Sequence, residues 1–190
     1  MERAPAQEPS ERALDSASRR PENGMTHRGR MTMGEKPAAV ARVEAAAIDK
    51  GLKISVVETS SSARSAEEAA QAVGASVGQI VKSLVFRGRD TGKAYLLLVS
   101  GANRVDETLA VQTIGEALER PDADFVRSAT GFAIGGVSPL GATAELSVYM
   151  DEDLFQHATV WAAAGTHKHV FEVVPLQLRS ATGAVICRIA

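Results

Sequence analysis

The sequence predicts an α/β domain in which a mixed, curved β-sheet is flanked by helices. Between residues 37 and 190, the predicted strands outnumber the predicted helices, and the helices cluster early. A regular doubly wound domain would alternate the two along its length. Hydrophobic residues make up 45% of the chain and aromatic residues only 4%, so we expect a core of Ala, Val, Leu and Ile side chains. The 190 residues are enough for one domain.

Helices are predicted from capping residues and apolar spacing. The predicted ranges are Pro37–Lys50, Ser65–Gly74, Asp106–Glu119 and Asp122–Ala129, with a helical turn at Pro175–Leu178. The apolar face of the first helix is expected to contain Val40, Val43, Ala47 and Ile48, and that of the third Leu109, Ile114 and Leu118. Ser65 followed by Glu68 is a capping-box pattern, which marks the start of the second helix.

Strands are predicted where β-branched and aliphatic residues form short runs between turn residues. The predicted ranges are Lys53–Glu58, Ile80–Phe86, Ala94–Ser100, Leu146–Met150, Thr159–Ala163, Val170–Val174 and Ala184–Ile189. The second and third are joined by a polar turn with Asp90-Thr91-Gly92 at its tip, so we expect them to pair as a hairpin.

Charge divides the chain into a leader and a domain. Residues 1–36 carry seven Lys/Arg and six Asp/Glu, are poor in aliphatic residues and show no sustained period, which predicts a disordered leader. Residues 37–190 carry 14 basic and 17 acidic side chains. A protein that binds nucleic acid unaided usually has a clear basic surface, so we expect any contact with RNA to be local or assisted by a partner.

Several classes of protein are excluded by what the sequence lacks. The single cysteine, Cys187, allows no intramolecular disulfide and no multi-cysteine metal site, and it lies in an apolar terminal strand where an inert thiol is expected. There is no G-x-S-x-G nucleophile elbow and no Walker loop. No apolar run approaches the ~18 residues of a membrane span, and the N-terminus lacks a secretory signal. We expect a cytoplasmic protein without a metal or cofactor.

The segment Thr130–Gly141 has an unusual composition for a surface loop. It contains four glycines and one proline with apolar residues between them. Glycine permits positive φ and close backbone approach, and proline removes a donor. Such a loop could direct several backbone N–H groups at one small polar target. It could equally be a tight, half-buried connection between two elements, with Thr130 and Ser138 merely capping its backbone.

Lys82 lies inside the apolar strand Ile80–Phe86, where both faces can be buried. A buried ammonium is costly unless it meets a partner. The alternative is a lysine at a strand edge that covers apolar surface and keeps its charge in water.

Three motifs together carry a resemblance to a known family. They are Gln79–Phe86 around Lys82, Val99–Asp106, and the glycine-rich segment, supported by the closing Trp161–Gly165 stretch. In this order and at these distances, residues 37–190 resemble the YbaK/prolyl-tRNA editing domain family, whose members hydrolyse amino acids wrongly attached to tRNA. One departure is Ala142, because many members have a histidine there, and this puts the substrate preference in doubt.

The resemblance implies roles for individual residues. Lys82, Gly135 and Gly136 would be catalytic, the lysine as a point charge near the terminal nucleotide and the glycines as part of the loop that stabilises the reacting carbonyl. The implied substrate-binding residues are Phe132, Ile134, Val137, Ser138, Pro139, Thr166 and His167. Arg104 and Asp106 are expected to form an ion pair that braces the pocket rather than to contact substrate, which is the alternative, and Asp106 is expected also to cap a helix. His169 and Lys168 are expected to face solvent or RNA phosphates.

The implied function is that of an aminoacyl-tRNA deacylase acting in trans, most plausibly on tRNA(Pro) carrying Cys, Ala or another small amino acid. Prolyl-tRNA synthetase is the implied partner, and neither DNA nor a membrane is expected. An aminoacyl ester is already activated, so positioning water and stabilising the oxyanion can suffice without a strong base. Two alternatives stay open: a non-catalytic module that binds an amino acid or aminoacyl-tRNA, and a hydrolase of small aminoacyl esters or thioesters.

Overall fold

The computed structural model describes residues 36–60 and 63–190. The predicted leader, residues 1–36, lies outside these ranges except for Lys36. The helices are α1 (Ala38–Asp49), α2 (Ala66–Val73), α3 (Glu107–Ile114), α4 (Ala123–Thr130) and α5 (Pro175–Thr182). The strands are β1 (Val56–Glu58), β2 (Val81–Gly88), β3 (Ala94–Ser100), β4 (Leu118–Glu119), β5 (Ser147–Asp151), β6 (Val160–Thr166), β7 (His169–Val173) and β8 (Val185–Cys187). Two 3-10 turns lie at Val77–Gln79 and Glu152–Gln156.

The strands form two sheets. The larger has the order β4-β2-β3-β5-β8 and is mixed: β2 pairs antiparallel with β3 and β4, whereas β3–β5 and β5–β8 are parallel. The smaller has the order β1-β7-β6 and is antiparallel. A parallel bridge between Ile80 and Trp161 links the two at the start of β2. The α/β class with a mixed sheet is therefore confirmed.

The β2–β3 hairpin has a hydrophobic core on each side. Leu96 and Leu98 of β3 belong to a core that also contains Val43 of α1, while Leu97 belongs to a second core with Ala110 of α3. The three leucines are at most 1% exposed. Each such side chain contributes on the order of 1.5–3 kcal/mol relative to an exposed one. The hairpin is thus a firmly packed base for the residues that β2 carries.

Local capping signals were reliable guides to helix boundaries. The Ser65 hydroxyl accepts a hydrogen bond from the N–H of Glu68 at 3.2 Å and starts α2, as predicted. Asp122 caps α4 by accepting from the N–H of Phe125 at 2.8 Å.

Several predicted boundaries were wrong. Helix α3 ends at Ile114 rather than Glu119 because Gly115 adopts φ +92° and stops it, and the short strand β4 follows. Ile48 is 75% exposed and does not share the buried face of α1. Strands β1 and β8 are shorter than predicted, and the turn predicted at Pro175–Leu178 continues to Thr182 as helix α5.

Candidate functional site

A cavity of about 450 Å³ lies between α2, the β2 strand, the β6–β7 turn and the glycine-rich loop, which we define as residues 131–141. Most of its lining is apolar. The polar side chains that line it are Arg64, Ser65, Lys82, Ser83, Arg120, Thr166 and His167. This volume falls within the range of about 300–1,000 Å³ that small-molecule sites occupy.

Short-range hydrogen bonds organise the glycine-rich loop. The Thr130 hydroxyl donates to the carbonyl of Val126 at 2.7 Å and accepts from the N–H of Phe132 at 3.0 Å. The Ser138 hydroxyl accepts from the N–H of Leu140 at 3.2 Å. Both hydroxyls therefore cap the backbone of the loop, which was one of the alternatives the sequence left open.

Arg42 of α1 holds the two ends of the glycine-rich loop together. Its Nε donates to the carbonyl of Gly141 at 2.7 Å and its Nη2 to the carbonyl of Gly131 at 2.9 Å. The guanidinium carbon also lies 4.4 Å from the ring centroid of Phe132, a cation–π distance. Arg42 was not among the predicted site residues, because no motif near it in the sequence marks it.

The predicted residues of the loop separate into two groups. Ile134, Gly135 and Val137 line the cavity. Phe132, Gly136, Ser138 and Pro139 are buried and are not among the residues that line it. Phe132, expected to bind substrate, instead packs in the core and is 1% exposed.

Gly136 is a packing position. Its N–H donates to the carbonyl of Ala133 at 3.0 Å, so this N–H is already occupied. A Cβ added at Gly136 would lie 2.7 Å from the Cα of Thr166. By contrast, the N–H groups of Gly135 and Val137 make no hydrogen bond to any residue in the described ranges. The N–H group of Ile134, which also lines the cavity, makes no hydrogen bond to the described residues either, so all three loop residues of the lining keep a free donor for a ligand.

Lys82 projects from β2 and lines the cavity. Its Nζ donates a hydrogen bond to the main-chain carbonyl of Asn103. Burial lowers the pKa of Lys82, the nearby carboxylate of Glu67 raises it, and the charge of Arg104 lowers it. The ammonium is thus a held donor rather than a freely rotating surface charge.

Asn103 is fixed in turn by two carboxylates at the end of β5. Its side-chain amide donates to Asp153 at 2.7 Å and to Asp151 at 3.3 Å. Asp151 is 1% exposed and also accepts from the N–H of Ile189 at 3.2 Å. Burial raises the pKa of Asp151, and the hydrogen bonds from Ile189 and Asn103 lower it. A hydrogen-bonded chain therefore runs from Lys82 to the C-terminal residues.

The expected ion pair between Arg104 and Asp106 is absent from the described residues, and that prediction was wrong. The carboxylate of Asp106 accepts from the N–H groups of Thr108 at 2.8 Å and Leu109 at 3.1 Å instead. Asp106 caps α3, as predicted, and Arg104 is exposed. The Asp106 carboxylate is therefore bound by N–H groups of the first turn of α3 and not by the guanidinium group of Arg104.

Thr166 and His167 both line the cavity at the β6–β7 turn. The Thr166 hydroxyl lies 2.7 Å from Nδ1 of His169 and accepts from the N–H of Lys168 at 3.2 Å. His167 is exposed, and its carbonyl accepts from the N–H of Ala63 at 3.1 Å. His169, which was expected to face solvent or RNA, is half-buried and bonded to Thr166 instead.

Cys187 is not among the residues that line the cavity. Burial, together with the negative charge of Asp151, raises the pKa of its thiol to about 11. A thiol of this kind is a poor nucleophile near neutral pH, in line with the inert role expected for it. Across residues 36–60 and 63–190, no three His, Cys, Asp or Glu side chains group so as to hold a metal ion. None of the helices described is long and apolar enough to span a bilayer.

Known proteins with similar sequences and structures agree with this architecture. Residues 60–181 match the model of the aminoacyl-tRNA editing domain. The chain is 33% identical over 123 residues to the uncharacterized protein YwhH of Bacillus subtilis (strain 168), covering 65% of this chain and 78% of that protein. It is 28% identical over 126 residues to an Enterococcus faecalis (strain ATCC 700802 / V583) protein provisionally named Cys-tRNA(Pro)/Cys-tRNA(Cys) deacylase EbsC, covering 66% and 76%.

A solved structure is similar over most of the domain. A crystal structure provisionally described as a trans-editing enzyme for prolyl-tRNA synthetase superposes with a TM-score of 0.77 and 47% sequence identity. The match covers 82% of this chain and 98% of that one.

Proposed function

Because this chain belongs to the aminoacyl-tRNA editing domain family, we propose that it hydrolyses the ester of mischarged tRNA in trans. The preferred substrate is tRNA(Pro) carrying Cys, Ala or another small amino acid. The names of the EbsC relative and of the similar crystal structure, which mention Cys-tRNA(Pro) and prolyl-tRNA synthetase, support this choice. Prolyl-tRNA synthetase is the proposed partner.

The proposal rests on one observation: Lys82 and backbone N–H groups of the glycine-rich loop that have no partner among the described residues line the same cavity. Lys82 lies on the β2 wall, and Gly135 and Val137 lie on the wall made by the glycine-rich loop. Donors fixed before the reaction stabilise developing negative charge without reorganisation. The two N–H groups would therefore receive the oxyanion that forms when water adds to the ester carbonyl.

The reaction needs little from the protein beyond this arrangement. Water attacks the carbonyl carbon, the bond between that carbon and the ribose oxygen breaks, and a proton ends on the ribose oxygen. Lys82, held by the carbonyl of Asn103, would place its charge beside the terminal nucleotide. The apolar lining, which includes Ile134 and Val170, would enclose the small side chain and limit its size.

A deacylation assay tests this proposal. tRNA(Pro) is charged in turn with Cys, Ala, Ser and Pro, and release of each amino acid is followed with the wild type, Lys82→Ala and Lys93→Ala, with and without prolyl-tRNA synthetase. Lys93 is the matched control because it is an exposed lysine of the same hairpin that does not line the cavity.

We expect one incorrect amino acid to be released selectively, with the activity lost in Lys82→Ala and retained in Lys93→Ala. If no amino acid is released even with the synthetase present, tRNA(Pro) is not the substrate. The non-catalytic binding module would then be the better account of the site.

A further inference from the structure

The charged side chains that line the cavity share one sign. They are Arg64, Lys82 and Arg120, with His167 as the other titratable group, and none of the carboxylates that the structure describes lines the cavity. This contrasts with residues 37–190 as a whole, which carry 17 acidic and 14 basic side chains. A cationic lining within an acidic domain favours an anionic ligand.

Lys82 has a hydrogen-bond partner among the described residues, whereas the guanidinium groups of Arg64 and Arg120 have none there. Among the described residues, the ion pairs are Lys36–Glu44 and Arg87–Glu119. Both arginine side chains are exposed, so their guanidinium groups are available. They also come from different walls, Arg64 immediately before α2 and Arg120 just before α4.

Two carboxylates on the first turn of α2 lie close in sequence to Arg64. Glu68 accepts a hydrogen bond from the main-chain N–H of Arg64 at 2.7 Å, which ties it to the backbone. Hydrogen bonds from its own backbone N–H and from Ser65 lower the pKa of Glu67, so Glu67 is negatively charged near Lys82. The negative charges of Glu67 and Glu68 disfavour an anion beside α2, so an anion on this wall of the cavity must bind directly to the guanidinium group of Arg64.

We propose that Arg64 and Arg120 bind phosphates of the unpaired nucleotides at the 3′ end of an RNA strand whose last nucleotide enters the cavity. This deepens the proposed function and rests on it for the identity of the ligand. The guanidinium group is planar and binds phosphate through two parallel hydrogen bonds. Trp161 in the lining provides an aromatic face on which a base can stack.

The number of cations sets a quantitative expectation. Each phosphate neutralised on a single strand contributes about −0.7 to the slope of log K against log salt concentration. Two arginines on phosphates therefore predict a slope of about −1.4, which is shallow for a nucleic-acid-binding protein. Removing either arginine is expected to reduce the slope by about 0.7.

Binding is measured by fluorescence anisotropy, with a 5′-labelled single-stranded RNA that ends in CCA and carries no amino acid. The proteins compared are the wild type, Arg64→Ala, Arg120→Ala, the charge-retaining Arg64→Lys and Arg120→Lys, and Arg179→Ala. Arg179, on α5, is an exposed arginine that does not line the cavity, so it is the matched control.

We expect both alanine variants to bind more weakly with a shallower slope, and both lysine variants to keep the wild-type slope while losing affinity. Arg179→Ala should behave as wild type. The proposal is overturned if wild type does not bind this RNA, if both alanine variants bind as wild type does, or if Arg179→Ala weakens binding equally. Because this RNA carries no amino acid, the binding result does not depend on whether the protein deacylates its substrate. Deacylation of tRNA(Pro) that is insensitive to both arginines would leave the proposed function intact and overturn this inference alone.

Discussion

Substituting Gly136 by alanine should displace the glycine-rich loop from the cavity. The added Cβ would lie 2.7 Å from the Cα of Thr166 and 3.0 Å from the carbonyl oxygen of Gly165. Non-bonded carbon atoms prefer separations of about 3.5–4.0 Å, so the loop must retreat by about 1 Å. Both neighbours are backbone atoms, and therefore no side-chain rotation can relieve the contact.

This displacement has a cost for stability and a larger one for activity. Overpacking of this kind typically destabilises a protein by about 1–3 kcal/mol. A misplacement of about 1 Å in a reacting geometry can lower the rate by about 10²-fold. Since Gly135 and Val137 flank Gly136, their N–H groups move with it, and we expect a fall of that order in the rate of deacylation.

Single-turnover deacylation of the tRNA(Pro) substrate identified for the wild type measures the rate, and thermal unfolding followed by circular dichroism measures the stability. Ala133→Ser is the control because Ala133 is an exposed residue of the same loop. A folded Gly136→Ala protein that deacylates at close to the wild-type rate would refute the idea that the backbone of this loop positions the reaction.

Three further predictions concern the supports of the site and the fold. Arg42→Ala removes two charged hydrogen bonds to the ends of the glycine-rich loop and should destabilise the protein by about 3 kcal/mol in urea titration; an unchanged midpoint would contradict this. Hydrogen bonds, those from the Tyr95 and Thr91 hydroxyls foremost, lower the pKa of Glu116 from 4.5 to about 2, so the stability it provides is full above pH 4.5 and is lost as the pH falls toward 2. The difference in free energy of unfolding between wild type and Glu116→Gln should therefore shrink over that pH interval. A constant difference would contradict a lowered pKa for Glu116. Asn103→Ala retains the main-chain carbonyl that binds Lys82 but loses the side-chain hydrogen bonds to Asp151 and Asp153 that hold this residue in place. The kcat for deacylation should therefore fall by a larger factor than KM changes. A rise in KM with kcat unchanged would contradict this.

The sequence was sufficient to predict local features, such as helix caps, that depend on residues within three or four positions of each other. The caps at Ser65 and Asp106 could be predicted because a capping side chain bonds to N–H groups in the first turn of its own helix. The apolar runs on either side of a polar turn located the hairpin that carries Lys82, with Ala94–Ser100 correct at both ends. The motifs around these elements were also enough to identify the family.

The spatial grouping of the predicted site residues was only partly predictable. Lys82, Ile134, Gly135, Val137, Thr166 and His167 line one cavity, whereas Phe132, Gly136, Ser138 and Pro139 are buried and not among its lining residues. Glycine and apolar residues are interspersed through the loop without a regular period, so the sequence alone does not show which of them face the cavity. The pairing of Arg104 with Asp106 failed for a related reason, since a local cap competed successfully for the carboxylate.

Composition and local pattern thus determined the α/β class, most helix starts, the main strands and the loop that borders the cavity. Tertiary structure alone decided what holds that loop and the lysine in place. Arg42 reaches Gly141 across 99 positions of sequence, and Asn103 reaches Asp153 across 50. Contacts at such separations depend on how helices and sheets pack, because the hydrogen-bonding capacity of an arginine or asparagine is the same whichever partner the fold brings near.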